Sequence, residues 1–486
     1  MKATIAVFAL LGCHGAAPGA VVYGASVDSP IADGLPPDGA PAPSGVTPDF
    51  FGIHINQSIS PWPDATMPFG GYRSLSSTIM WANINTADGT YNWTRFDSWM
   101  AKAEAGGQDV LYTVYATPPW ASSELGANGR DGTTCGFDDS TKKDFIGPGI
   151  CDAPDDVAAD GTGTDQHFID FVTALATHAC LVDVSNPASG SRCDGVHPGR
   201  IRYYEMWNEP NITTEWNGTN AQMLRMAKDL WTTVKAIDPT ALVTTPASTA
   251  TVVNPPNGNH WLDPYLQLGG GDYADIIAFH GYVLVNQPAC PAPDCIDPED
   301  VDNVITAIST VATADGQGGK PLWDTEGSWG GVQPGKPLPT DPDLQAAYVG
   351  RYYLLQLGRG IARFYWFAWD ITSSGYFYDP TTKAMNAAAT TAYQQVHDWA
   401  IGNTFGACSA TGTVWTCPIT GPAGYQALAV WDAAQPCSAG TCSQTVFTAP
   451  AVFVRSRDLT GGTQAIAGGT VQISAKPILL DNVAVH

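Results

Sequence analysis

From about residue 50 to 400, short apolar runs rich in Val, Ile, Phe and Tyr alternate with longer stretches whose apolar positions recur at helical spacing. The runs at 51–55, 71–75, 110–116, 201–207, 241–245, 276–279, 321–324 and 363–367 read as strands. Between them, 94–104, 167–178, 221–237, 301–314 and 343–357 read as helices. Eight strand-then-helix repeats over about 350 residues predict an α/β fold, a (β/α)8 TIM barrel whose working residues stand at the strand C-terminal ends. From about 403 the period drops to two. Short runs at 426–431, 445–447, 452–455, 464–467, 470–474 and 478–480, separated by Gly, Asp and Cys, predict a C-terminal antiparallel β-sandwich.

The start of the chain has another character. Lys2 precedes an apolar run at 4–12, which has a signal-peptide shape and is too short to span a bilayer. Leu10-Leu11-Gly12-Cys13 is similar to a bacterial lipobox, which would leave a lipid anchor on Cys13; cleavage within 16–25 is the alternative. Residues 26–48, rich in Pro, Gly, Ala and Asp, read as a tether. The expected organisation is 1–25 signal, 26–48 tether, 49–402 barrel and 403–486 sandwich. The expected place is secreted, or the cell envelope if Cys13 is lipidated. No later run of about 18 apolar residues predicts a transmembrane helix.

Composition narrows the partners. Of 486 residues, 22 are basic and 46 acidic, a net charge of −24. That field repels phosphate backbones and anionic lipid, so nucleic acid is not an expected partner. It also predicts poor affinity for acidic polysaccharides. Sixteen Trp and eighteen Tyr favour flat, uncharged ligands, with sugars first. Ten Cys beyond Cys13 suit an exported protein and suggest local staples at Cys135–Cys151, Cys180–Cys193, Cys290–Cys295, Cys408–Cys417 and Cys437–Cys442. Cys-x-x-Cys pairs and clustered His are both lacking, so neither a metal nor another cofactor is expected.

The chemistry concentrates at two strand ends. Tyr203-Tyr204-Glu205-Met206-Trp207-Asn208-Glu209-Pro210 puts a carboxyl group after the fourth strand, and Leu322-Trp323-Asp324-Thr325-Glu326-Gly327 puts another on the seventh. Strands four and seven face each other across an eight-stranded barrel, so Glu209 and Glu326 can share one cleft. Two opposed carboxyl groups are what glycoside hydrolysis needs. By strand parity Glu205 points inward with Glu209 and suits a structural pairing with an arginine such as Arg73. Asp324 shares the Glu326 face, and Trp323 is expected on the opposite face, under the helices.

Trp-Asn-Glu-Pro after strand four and Thr-Glu-Gly on strand seven resemble the retaining glycosidases of clan A, most closely glycoside hydrolase family 39, over roughly residues 50 to 485. The resemblance implies Glu209 as general acid/base, Glu326 as nucleophile and Asn208 as the partner of the substrate 2-OH. It further implies Arg73 and Tyr282 beside the nucleophile. Trp120, Trp366 and Trp369 are expected to stack on sugar, and His54 and His280 to bind sugar hydroxyls. The substrate would be a polysaccharide or oligosaccharide with an equatorial bond, such as a β-D-xyloside, β-D-glucoside, β-D-galactoside or an arabinose-containing linkage. A retaining mechanism sets the carboxyl groups about 5–5.5 Å apart. Two alternatives use the same chain: a non-catalytic carbohydrate-binding barrel, and a transglycosylase with the same residues.

Overall fold

The computed structural model describes residues 45–64, 66–75, 78–123, 135, 149–249, 261–283, 298–329 and 339–484. The expected signal segment with Cys13, the expected tether up to residue 44 and the suggested Cys290–Cys295 pair lie outside them.

Parallel strands appear where the apolar runs predict them: β1 Phe51–His54, β2 Gly71–Ser74, β3 Asp109–Val114 and β4 Tyr203–Met206. β5 is broken into Leu242–Thr244 and Ser248–Thr249; β6 Ile277–His280, β7 Leu322–Gly327 and β8 Arg363–Trp366 follow. Every strand from β1 to β8 is largely buried, as strands covered on both faces must be. The order is first piece of β5, then β4, β3, β2, β1, β8, β7, β6, then the second piece of β5. The sheet therefore begins and ends on the same strand. Around the break, Thr245 N–H donates to the Ile276 carbonyl at 2.9 Å and Asp275 N–H to the Val243 carbonyl at 2.7 Å.

Helices follow the strands: α1 Thr94–Gly106, α2 Gln166–Ala179, α3 Asn220–Ile237, α4 Leu262–Gln267, α5 Val301–Ala314, α6 Pro342–Gly358 and α7 Ala387–Ala400. A capping box starts α3: Thr219 accepts from the Gln222 N–H while the Gln222 side chain accepts from the Thr219 N–H. Parallel strands with helices packed outside them give a TIM-like α/β barrel.

Inside the sheet the floor is aromatic. Leu111, Tyr203, Ile276, Trp323 and Tyr365 form one buried cluster. The Arg363 guanidinium lies 4.5 Å from the Tyr203 ring centre and 4.9 Å from that of Trp323, and donates to Asp109 at 2.9 Å. Trp323 thus belongs to the interior, not beneath the helices as its parity predicted. A bulge in β7, described below, accounts for the reversal.

Residues beyond 403 form antiparallel sheets. β9 Val414–Gly421, β10 Tyr425–Asp432, β12 Arg455–Asp458, β13 Thr463–Ala465 and β15 Ile478–Asp481 run in the order β9, β10, β15, β12, β13. A separate two-stranded antiparallel sheet pairs β11 Thr445–Thr448 with β14 Thr470–Ile473. Val430, Ala449, Ile473 and Leu480 fill the space between the two layers. The other face of the large sheet joins the barrel core through Ile419, Ala427, Ala429, Trp431 and Leu479. Trp431 donates to Glu299 at 2.5 Å, and Arg351 on α6 holds the same carboxylate. Close approach requires a glycine at 358: a Cβ there would stand 2.3 Å from the Cys408 sulfur.

Four of the five suggested disulfides are present: Cys135–Cys151, Cys180–Cys193, Cys408–Cys417 and Cys437–Cys442. No helix among the described residues is long and apolar enough to cross a membrane.

Candidate active site

Arg73, on β2, is the hub. It is fully buried, and a guanidinium in that position must spend its donors on charges or acceptors. Nε donates to Glu205 at 2.8 Å, Nη1 to Glu326 at 2.5 Å and Nη2 to Asn208 Oδ1 at 3.0 Å. Burial alone would weaken its hold on the proton, but the charges of Glu205 and Glu326 outweigh burial and keep it a cation. Glu205, inward on β4 as its parity predicts, also accepts from Thr113 at 2.6 Å. It is the floor that anchors the arginine.

After β4 the chain turns sharply. Trp207 and Glu209 both adopt left-handed backbone, with φ of 62° and 41°, flanking Asn208. Such residues cost on the order of 1–3 kcal/mol each and persist only where neighbours hold them. Here the Glu209 N–H donates to the Ala247 carbonyl at 2.9 Å, and the Trp207 indole N–H to the Glu215 carbonyl at 3.0 Å. The break in β5 is what exposes Ala247 for that bond. Glu209 remains 6% accessible.

On β7 the pairing with β6 shifts by one residue, between Asp324 facing Phe279 and Glu326 facing His280. One extra residue reverses the in-and-out alternation. Trp323 and Glu326, three apart, therefore both serve the interior. Asp324 turns away: it accepts from Gln356 on α6 at 2.5 Å and from the Gly281 N–H at 2.9 Å. It does not share the Glu326 face, contrary to the sequence expectation. A Cβ on residue 281 would sit 2.1 Å from the Asp324 carboxyl, so only glycine fits there. Asp324 clamps the ends of β6 and β7 together from behind the site.

β6 delivers the remaining polar groups. Tyr282 O–H donates to Glu326 Oε1 at 2.6 Å. His280 Nδ1 lies 2.8 Å from Glu209 Oε1, and its Nε2 lies 3.3 Å from Arg73 Nη2. A guanidinium offers only donors, so Nε2 must be the accepting nitrogen. The ring proton then sits on Nδ1 and is donated to Glu209 Oε1, which leaves Glu209 Oε2 as the oxygen to carry an acid proton. His54 Nδ1 stands 3.5 Å from Arg73 Nη1, with its ring 4.8 Å from that of Phe367. A Glu209 oxygen, a His280 nitrogen and a Glu326 oxygen all lie within 4.8 Å of one another. That trio is dense enough to ligate a cation, but the Arg73 guanidinium against Glu326 and His280 opposes one.

Trp366 and Trp369 are a correction. Trp366 is 0% accessible and packs outside the sheet among Trp329, Tyr352, Tyr353 and Phe377. Trp369 is 2% accessible, stacked on Tyr378 with its N–H on the Pro61 carbonyl. Trp120 is half-buried, its N–H donated to the Asn85 carbonyl and its ring edge-on to His167 on α2. No contact of these three among the described residues reaches the carboxyl pair. Beside Tyr282 the site carries a second aromatic, Phe367, partly exposed, between His54 and Tyr282. Its signal was parity: Arg363, Tyr365 and Phe367 share one face of β8, and Trp366 the other.

A second group escaped the sequence reading. Glu215, in the turn after β4 and 2% accessible, accepts from Tyr115 O–H at 2.5 Å. It lies in a loop with no period to reveal it.

No family model matches the chain, and no curated relative does. Solved structures do. A family 39 glycoside hydrolase from the gut symbiont Bacteroides cellulosilyticus WH2 superposes with a TM-score of 0.58 at 17% identity, over 89% of this chain and 80% of that one. A family 39 β-xylosidase from Caulobacter crescentus gives 0.55 at 15%, over 90% and 97%. A family 30 subfamily 8 xylanase from Clostridium acetobutylicum gives 0.52 at 14%, again over 90% and 97%. The chain has the fold of family 39 glycoside hydrolases. At such identities the match speaks for fold alone, and chemistry has to come from the side chains.

On this family 39 fold the two facing carboxyl groups live in different fields. Burial pushes Glu209 up to about 7, against the opposing pull of Arg73. Both Glu326 oxygens, by contrast, accept short bonds from donors, the setting of a carboxylate. Burial and the Glu326 charge push the Tyr282 hydroxyl well up, so it stays a donor. Burial holds His280 down at about 4, neutral across the physiological range. Burial, with the Glu209 charge next, lifts Glu215 to about 8.

Proposed function

We propose that the protein is a secreted retaining glycoside hydrolase that cleaves an equatorial glycosidic bond of a neutral polysaccharide or oligosaccharide by double displacement. We read the sheet as a ring closed through β5, which sets β4 and β7 opposite each other. The observation that carries the reading is the short gap between the carboxyl groups. A Glu209 oxygen lies within 4.8 Å of a Glu326 oxygen. Inverting enzymes leave about 6.5–9.5 Å for a water between them, so this spacing favours direct attack by a side chain.

In the first step Glu326 bonds to the anomeric carbon while Glu209 gives its proton to the departing oxygen. In the second, Glu209, now a carboxylate, takes a proton from water, and that water displaces Glu326 from the sugar. Asn208 bonds the 2-OH, an interaction that strengthens as positive charge builds on the ring. Phe367 offers the sugar an apolar face.

Product stereochemistry tests the mechanism. Proton NMR during hydrolysis of a β-aryl glycoside should show the β-anomer first; initial release of the α-anomer overturns it. A panel of polysaccharides with product sizing identifies the substrate, and faster turnover on a polyuronate than on a neutral glycan would contradict the charge argument.

Two further outcomes follow. As pH rises through about 7, Glu209 loses the proton the first step needs, so kcat/KM for an ordinary aryl glycoside should fall there. A dinitrophenyl glycoside, whose leaving group needs no proton, should lose that alkaline limb; the same limb on both substrates would place its origin elsewhere. Phe367→Ala should lower kcat/KM by about 10–100-fold, mostly through KM, because ring stacking holds ground state and transition state alike. Unchanged kinetics would remove Phe367 from the site.

A further inference from the structure

We propose that Asp324 is a positioning residue that aims the Glu326 nucleophile by holding the bulge in β7 in place. The inference rests on the glycosidase reading above and adds a residue to it.

The bulge belongs to β7 itself. Against β6 the register passes from Asp324 facing Phe279 to Glu326 facing His280, and against β8 from Asp324 facing Phe364 to Gly327 facing Trp366. In both pairings β7 spends one residue more than its neighbour. A bulge takes backbone groups out of the ladder, and buried ones then need other partners. Asp324 is the partner. Its Oδ1 accepts from the Glu326 N–H at 3.3 Å and from the Gly281 N–H at 2.9 Å. Its Oδ2 takes Gln356 Nε2 at 2.5 Å, which ties the carboxyl to α6. Thr325 closes the same stretch by donating to the Phe279 carbonyl at 3.4 Å. The space is fitted around the carboxyl: a Cβ at Gly281 or Gly327 would stand 2.1 or 2.9 Å from it.

Asp324 is fully buried, bonded to α6 behind the sheet, so it acts through what it holds. Glu326 leaves the chain at the N–H that Asp324 fixes. Gly281 stands between His280 and Tyr282, whose side chains meet Glu209 and Glu326. Without an acceptor at 324, two N–H groups are orphaned in a dry interior, and β7 can recover bonds by relaxing toward regular register. That movement turns Glu326 from its line of attack, and a displacement of about 1 Å costs about 10²-fold in rate.

The test uses a 2-deoxy-2-fluoro glycoside with a dinitrophenyl leaving group. A Glu326 oxygen bonds to the anomeric carbon, dinitrophenolate departs with the bonding pair, and the fluorine slows release, so intact mass counts the labelled protein. Well below the unfolding temperature, with folding checked by near-ultraviolet circular dichroism, Asp324→Ala should label about 10²-fold more slowly than wild type, with affinity for the reagent little changed. Asp324→Asn keeps an oxygen for both N–H groups. Its new amide can donate to Gln356 Oε1, a buried atom without a hydrogen bond among the described residues, so it should keep most of the wild-type rate. A purely structural role would lower the unfolding temperature and leave labelling of the folded protein alone. If Asp324→Ala does not fold, Gln356→Leu, which frees the carboxyl from α6, takes its place with a loss of about tenfold expected. Wild-type labelling by the folded variant, or an asparagine variant as slow as the alanine one, overturns the inference. A wild type that hydrolyses no glycoside overturns the underlying reading instead, so the two failures are distinct.

Discussion

Replacing Glu326 by glutamine should cut kcat/KM by about 10⁴-fold or more, some 5.5 kcal/mol of transition-state stabilisation, and leave the fold standing. The side chain keeps its size and can still accept from Arg73, while the Tyr282 hydroxyl can turn to accept from the new amide. What disappears is the carboxylate that the proposed mechanism uses as its nucleophile. Thermal unfolding should shift little, which separates lost chemistry from lost structure. Added azide gives a sharper answer. With Glu326→Ala it should attack in place of the carboxylate and yield the inverted glycosyl azide. With Glu209→Ala it should intercept the intermediate and yield the retained one. Wild-type turnover by Glu326→Gln, or the same azide product from both variants, would refute the assignment.

Arg73→Met should be damaging in another way. The arginine is bonded at once to Glu205, Glu326 and Asn208, so its loss strands a buried carboxylate beneath the site. Removing one partner from a buried ion pair typically costs about 3–5 kcal/mol, which urea denaturation reads as a lower midpoint. Turnover should fall with it, since Glu326 then loses one of the two short bonds that orient it and keeps that from Tyr282. The double variant Arg73→Met/Glu205→Gln separates the two effects. It should regain most of the stability, because the stranded charge is gone, and none of the turnover. Recovery of both would mean that Arg73 serves only the fold.

The barrel was legible because strands buried on both faces leave unbroken apolar runs, and because Asn-Glu-Pro and Thr-Glu-Gly stand at their ends. The bulge in β7 was not. A one-residue insertion changes no composition, and it becomes visible only through the partner strand, where Asp324 faces Phe279 and Glu326 faces His280. The Trp323 and Asp324 expectations failed together for that single reason. Trp366 failed for another. Its indole suggested sugar stacking, while the alternation along β8 already placed Phe367 inside and Trp366 out. β9 went unseen because Cys417 and Pro418 interrupt its pattern. Pro418 is tolerated there because β9 borders only the short segments Thr404–Phe405 and Ser409–Thr411 on its outer side, and proline's missing donor breaks no long ladder. Glu215 meets Tyr115 through a tertiary contact, which no local spacing encodes.

The bond from Trp431 to Glu299 has a practical consequence for anyone trimming this protein. A gene cut after residue 402 would not release a smaller, finished catalyst. It would bare buried residues of α6, strip Glu299 of the Trp431 donor and expose the seam where Gly358 meets Cys408. The fragment would present a sticky wound where the whole chain presents sealed packing, and aggregation, not lost activity, would be its first symptom.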